Sequence, residues 1–83
     1  MRITISRSAA ESFEALPTLV KVRLLRIFER LESWPAVSGA KPLRGSLAGH
    51  YRMRTGAYRV QFRIEATHLV IERVGHRDGF YDQ

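Results

Sequence analysis

Residues 51–65 read YRMRTGAYRVQFRIE, and this stretch constrains the fold more than any other. Apolar and aromatic residues alternate with arginines on both sides of a glycine, the pattern of two strands joined by a tight turn. Residues 50–54 and 58–64 are the expected strands, with Gly56 in the turn and Thr55–Gly56 or Gly56–Ala57 as the two-residue loop. Either loop gives the same partition of side chains. Tyr51, Met53, Tyr58, Val60, Phe62 and Ile64 share one face, while Arg52, Arg54, Arg59, Gln61 and Arg63 share the other. A slip of one residue would bury the arginines, so the register is strongly specified.

The apolar face of such a hairpin needs a cover, and the N-terminal part of the chain supplies it. RITIS alternates and predicts a short strand. Ser8 with Glu11 three positions on has the spacing of a capping box and predicts a helix start, with Phe13 and Leu16 as its inner stripe and Pro17 as its stop. Thr18 is placed to cap a second helix. Val20, Leu24, Ile27, Phe28 and Leu31 follow one helical face, and Pro35 ends the pattern. Residues 35–50 are rich in Pro and Gly and predict a long loop carrying Lys41 and Arg44, suited to meeting a partner. After EATH, LVIERV predicts a third C-terminal strand; continued pairing would put Arg73 on the apolar face, so a bulge or an early strand end is expected there. The fold class is α+β: a small antiparallel sheet with two N-terminal helices on one face, in one domain spanning residues 1–83.

Charge narrows the function. The net charge is +6, and twelve of the fourteen basic residues are arginine, whose planar fork grips phosphate at two points. Like charges opposite one another across a hairpin are destabilising. Their presence on an uncovered sheet face therefore points to a polyanion that relieves the repulsion. The bland alternative is internal neutralisation by Glu65, Glu72 and Asp78. Tyr51, Tyr58 and Phe62 belong to the core by parity, which leaves Phe80 and Tyr81 to divide between packing and the arginines. No cysteine is present, no secretory leader is read at the N-terminus, and no apolar run approaches the roughly 20 residues of a membrane span. A cytoplasmic protein without membrane contact is expected.

No metal-ligand spacing joins His50, His68 and His76, and no Gly-rich phosphate loop or nucleophile elbow is present, so no metal and no cofactor is expected. Arg, His, Tyr and Lys remain. That set suits RNA cleavage by the RNA's own 2′-hydroxyl. Arginine stabilises the charge of a phosphorane-like transition state but is too basic to accept a proton, while His and Tyr can move protons. GHRDGFY brings His76, Arg77 and Tyr81 together.

The spans PLRGSLAGHYRMRTGAYRVQFRIE and LVIERVGHRDGFY, with the strand and two helices before them, resemble the RelE/ParE superfamily of bacterial toxin–antitoxin toxins. The resemblance implies a RelE-like α+β fold and the toxin of a type II module. It implies an endoribonuclease that cuts mRNA on the ribosome without a metal and so inhibits translation. A cognate antitoxin would be its protein partner, with DNA met only through that antitoxin. Carried over by position, the family's functional residues fall on Arg52, Arg54, Arg59, His76, Arg77 and Tyr81; Arg59, His76, Arg77 and Tyr81 are the expected catalytic set, and Arg52 and Arg54, with Arg63 of the same face and Lys41 and Arg44 of the loop, are expected to hold RNA. Some relatives have Lys where this chain has Arg52 and Arg54, or a loop glutamate near the position of Lys41, so the general base is open and His76 is the choice. The alternatives are a ParE-type inhibitor of DNA gyrase and a non-catalytic nucleic-acid-binding module.

Overall fold

A computed structural model describes residues 1–80. The order of elements is β1 (Arg2–Ile5), α1 (Arg7–Glu14), α2 (Thr18–Leu31), β2 (Lys41–Pro42), a 3-10 turn (Gly45–Leu47), β3 (His50–Thr55), β4 (Tyr58–Glu65), β5 (His68–His76) and a second 3-10 turn (Arg77–Phe80). The five strands form one sheet in the order β1-β5-β4-β3-β2. The expected antiparallel sheet runs from β2 to β5, and β1 joins its far edge parallel to β5.

Both helices cover one face. Val20, Leu24, Ile27 and Leu31 of α2 are buried, with Met53, Val60, Phe62, Leu69, Ile71 and Val74 of the sheet opposite them. Phe13, Leu16 and Phe28 pack at the margin of this core, and Ala9 is the fully buried residue of α1. Trp34 stands edge-on to both Tyr51 and Phe62, with ring centroids 4.7 and 5.3 Å away. No helix among the described residues is long and apolar enough to cross a membrane.

Local signals near the helix ends resolve differently from expectation. The N-cap of α1 is Ser6, whose hydroxyl accepts from the Ala9 amide at 3.1 Å, and Ser8 lies inside the helix. Ser6 is also the last residue tied to the sheet, its amide donating to the Ile71 carbonyl at 2.9 Å. Strand pairing thus fixes where the extended backbone stops, and the cap follows at once. Pro17 occupies the N-cap of α2 and Thr18 is the first helical residue. Helix α2 ends at Leu31, ahead of Pro35. The long loop contains a strand: Lys41 and Pro42 pair with Arg52 and Tyr51 at the open edge of the sheet, where a proline costs no ladder bond.

The hairpin keeps its expected register, with Thr55 opposite Tyr58 and Gly56–Ala57 as the loop. Gly56 has φ +59°, the left-handed value that a type II′ turn asks of its first central residue. The expected bulge is present one position before Arg73. Gln61 pairs with Arg73 but Phe62 pairs with Ile71, so Glu72 is the extra residue of β5. It returns Arg73 to the charged face and keeps both Ile71 and Val74 in the core.

Candidate functional site

The sheet face away from the helices carries the site. Strands β3 and β4 present Arg52, Arg54, Arg59, Gln61 and Arg63 there because the parity that buries Met53, Val60 and Phe62 leaves them no other side. Arg54 lies directly opposite Arg59, and Arg52 opposite Gln61. At the open edge, β2 brings Lys41 opposite Arg52. At the other end of the hairpin, the Arg77 amide donates to the Ala57 carbonyl at 2.7 Å. This bond docks the Arg77–Phe80 turn against the hairpin tip.

Together these elements enclose a pocket of about 540 Å³ lined by Gly39, Lys41, Arg52, Met53, Arg54, Arg59, Arg77 and Phe80. Five of the nine residues expected to act on RNA line it. Phe80 is its floor: the ring is buried, with the Arg73 guanidinium 4.0 Å and the Arg52 guanidinium 5.3 Å from its centroid. A ring so placed holds two cations by its π face. Phe80 therefore both packs and meets the arginines, combining the two expected roles of the tail aromatics.

The cationic face divides into a neutralised and an uncompensated half. Glu72 accepts hydrogen bonds from His50 through Nδ1, from Gln61 at 3.2 Å and from Arg63 at 3.1 Å. Arg63 also pairs with Glu65 at 2.8 Å. Burial pushes the Glu72 carboxyl up, but the hydrogen bonds from His50 and Gln61, the nearby His50 charge and the Arg63 hydrogen bond outweigh it and hold the group below its ordinary value. The Arg63 guanidinium is raised, chiefly by its hydrogen bond to Glu65. Internal neutralisation thus accounts for Arg63. It does not reach the pocket: among the described residues no carboxylate pairs with Lys41, Arg52, Arg54 or Arg59, while Arg77 has only the exposed Asp78 at 3.7 Å. Arg59 instead donates to the Gly56 and Tyr58 carbonyls, both at 3.3 Å, which settles its side chain against the turn.

The remaining expected residues fall elsewhere. Arg44 is exposed beyond β2, in a separate groove with Lys41, Pro42 and Leu43. His76 is opposite Tyr58 in the β4–β5 ladder, and the two rings meet edge-to-face with centroids 5.2 Å apart. Tyr58 has core parity, so the His76 side chain stands on the helix side of the sheet and the pocket lining does not include it. Tyr81 lies outside the described residues. Sequence reasoning missed Phe80 as the pocket floor and Gln61 as a buried polar group, 5% exposed. Parity had placed Gln61 on the charged face, and only the bulge beside it explains its burial.

A mixed sheet with two helices on one face and a cationic pocket on the other defines a small α+β domain with an open basic site. No family model matches the chain. Its fold and sequence are similar to the toxin–antitoxin complex RelBE2 of Mycobacterium tuberculosis, at 33% identity and a TM-score of 0.78 over 90% of this chain and 88% of that one. The toxin RelG of the same organism is 49% identical over 43 residues, a match spanning about half of each protein. The RelB–RelE complex of Methanococcus jannaschii has the same fold, with a TM-score of 0.80 at 22% identity over 95% of both chains. The chain belongs to the RelE/ParE superfamily of toxins from toxin–antitoxin modules.

Proposed function

We propose that this chain is the toxin of a type II module and an endoribonuclease that cuts mRNA on the ribosome. The observation that carries this reading is the pocket in which Lys41, Arg52, Arg54 and Arg59 converge without a carboxylate partner among the described residues. Cations left uncompensated on an open sheet face are suited to a phosphate backbone. In the proposed reaction the RNA 2′-hydroxyl attacks the adjacent phosphorus and loses its proton. A 2′,3′-cyclic phosphate forms, and the 5′-oxygen leaves with a proton gained. Arg52, Arg54, Arg59 and Arg77 hold the non-bridging oxygens and the charge that grows on them. Lys41 and, beyond it, Arg44 guide the flanking strand.

Among the described residues, the lining contains no imidazole, carboxylate or phenol. Arginine does not surrender its proton. The proton-moving group therefore comes from outside the lining. His76 was the expected base, but it faces Tyr58. Tyr81, which follows the pocket floor in the chain, is the better choice. A cognate antitoxin with an acidic, apolar-striped segment is the proposed inhibitor, folding on this surface as it binds.

A cell-free translation reaction tests the reading. The expected result is mRNA cleaved only when ribosomes are present, with cleavage lost in Arg59→Glu. Arrest of DNA supercoiling with intact mRNA would instead identify a gyrase inhibitor. Binding in a gel shift with neither effect would identify a non-catalytic binding module. Either result refutes the proposed activity.

A further inference from the structure

Arg52 is oriented by a relay through the buried Gln61 and the partly buried Glu72, neither of which lines the pocket. Its Nη2 donates to the Gln61 Oε1 at 3.2 Å, and the Gln61 Nε2 donates to the Glu72 Oε1 at 3.2 Å. Glu72 is in turn fixed by His50 and Arg63, one bond to each carboxylate oxygen. Gln61 is 5% exposed, so its amide cannot turn to water. Only one orientation satisfies both neighbours: the NH₂ faces the carboxylate, and the carbonyl faces the guanidinium.

The choice of residue types has an electrostatic logic. A carboxylate placed directly against Arg52 would fix it equally well, but would also cancel the charge the pocket offers a phosphate. A neutral amide fixes direction and leaves the charge. Glu72, the bulge residue, supplies the anchoring force from further back, and is itself ion-paired with Arg63 and hydrogen-bonded to His50. Phe80 completes the restraint from the guanidinium face.

We propose that Gln61, anchored by Glu72, is a positioning residue for Arg52. It holds that guanidinium in the pocket with its full charge available to a phosphate oxygen. The proposal rests on the reading of the pocket as an RNA site, but ordering of Arg52 is measurable without RNA.

Two readouts on the full chain test it, using Gln61→Met to keep volume while removing both hydrogen bonds. The first is the side-chain Nε–Hε resonance of Arg52 by ¹⁵N NMR relaxation. It is expected to be ordered in the unmodified protein and to become as mobile as the exposed Arg54 in Gln61→Met. The second is a double-mutant cycle on the affinity for a short fluorescein-labelled single-stranded RNA. Gln61→Met is expected to weaken binding about tenfold, as for a lost hydrogen bond to a charged group. It should add almost nothing in an Arg52→Ala background while adding its full effect in an Arg59→Ala background. Thermal melts identify any variant that fails to fold, and for such a variant Glu72→Gln replaces it in both readouts with the same expected loss of Arg52 order. An Arg52 that stays ordered in Gln61→Met, or additivity with Arg52→Ala, overturns the proposal. Lost Arg52 order in a protein that never bound the RNA upholds the positioning role and overturns the RNA reading instead.

Discussion

Reversing one charge on the hairpin separates a functional arginine from a structural one. Arg54 is exposed, points away from the helices, and lies directly opposite Arg59 in the ladder. Like charges so placed cost about 0.2–1 kcal/mol, and an opposite pair returns a similar amount. Arg54→Glu should therefore stabilise the fold by about 0.5–1 kcal/mol, the lower part of that combined range, because the site is open to water and salt. For a domain of this size that raises the melting temperature by about 2–8 °C. On the proposed function, the same change removes a phosphate contact from the pocket. Each contact contributes about −0.7 to the slope of log affinity against log salt for a single strand, so the slope should shrink by at least that much. Differential scanning fluorimetry and fluorescence anisotropy across a salt series measure both quantities on one sample. A melting temperature lowered by more than about 4 °C, with an unchanged salt slope, would show that Arg54 supports the fold and not a ligand.

Four further outcomes are expected. Phe62→Ala removes a fully buried ring that touches Trp34 and Tyr51, and should cost about 3–5 kcal/mol in urea denaturation, enough to leave little folded protein. Glu72 has a lowered folded-state pKa, so its contribution to stability is present above its ordinary value of 4.5 and is lost as pH falls through the folded value. The melting temperatures of the parent protein and Glu72→Gln should accordingly differ at pH 7 and converge as the medium is acidified below about pH 4. In single-turnover cleavage on programmed ribosomes, Arg77→Ala should lower the rate without changing the shape of the pH profile, because guanidinium stays charged throughout. His76→Ala should lose less than tenfold, well short of the about 10²–10⁴-fold of a removed general base, and a larger loss with one limb of the profile missing would restore His76 to the reaction.

The parts of the fold governed by alternation were legible in the sequence. Tyr51 to Ile64 could be partitioned between faces without coordinates, since a strand has only two sides and one of them rejects arginine. The conflict at Arg73 was visible for the same reason, and it did mark a bulge. What escaped notice depends on contacts between distant segments. The spacing to Glu11 pointed to Ser8 as the cap, and the cap falls to Ser6 because its amide bonds to Ile71. Lys41–Pro42 carries no strand pattern, and is extended only because β3 offers it an edge. In the site, the cations of β3 and β4 were readable by parity, but their division into compensated and uncompensated halves was not. That division follows from where one extra residue, Glu72, points. His76 and Arg77 are neighbours in sequence, yet they leave β5 on different sides, and sequence proximity alone could not separate them.

The parallel pairing of β1 with β5 has a consequence for the timing of assembly. Ser6 reaches the Glu72 carbonyl across 66 positions of sequence, and the central strand β4 is sandwiched only once β5 has arrived. Closing a loop of that span carries its entropy cost before any contact compensates it. On a translating ribosome the early helices can form, but the sheet they cover is incomplete until β5 has left the exit tunnel. Arg77 and Phe80 come later still, and without them the pocket has neither its far wall nor its floor. The cationic pocket is therefore completed by the last described element of the fold, after every strand that carries its other walls.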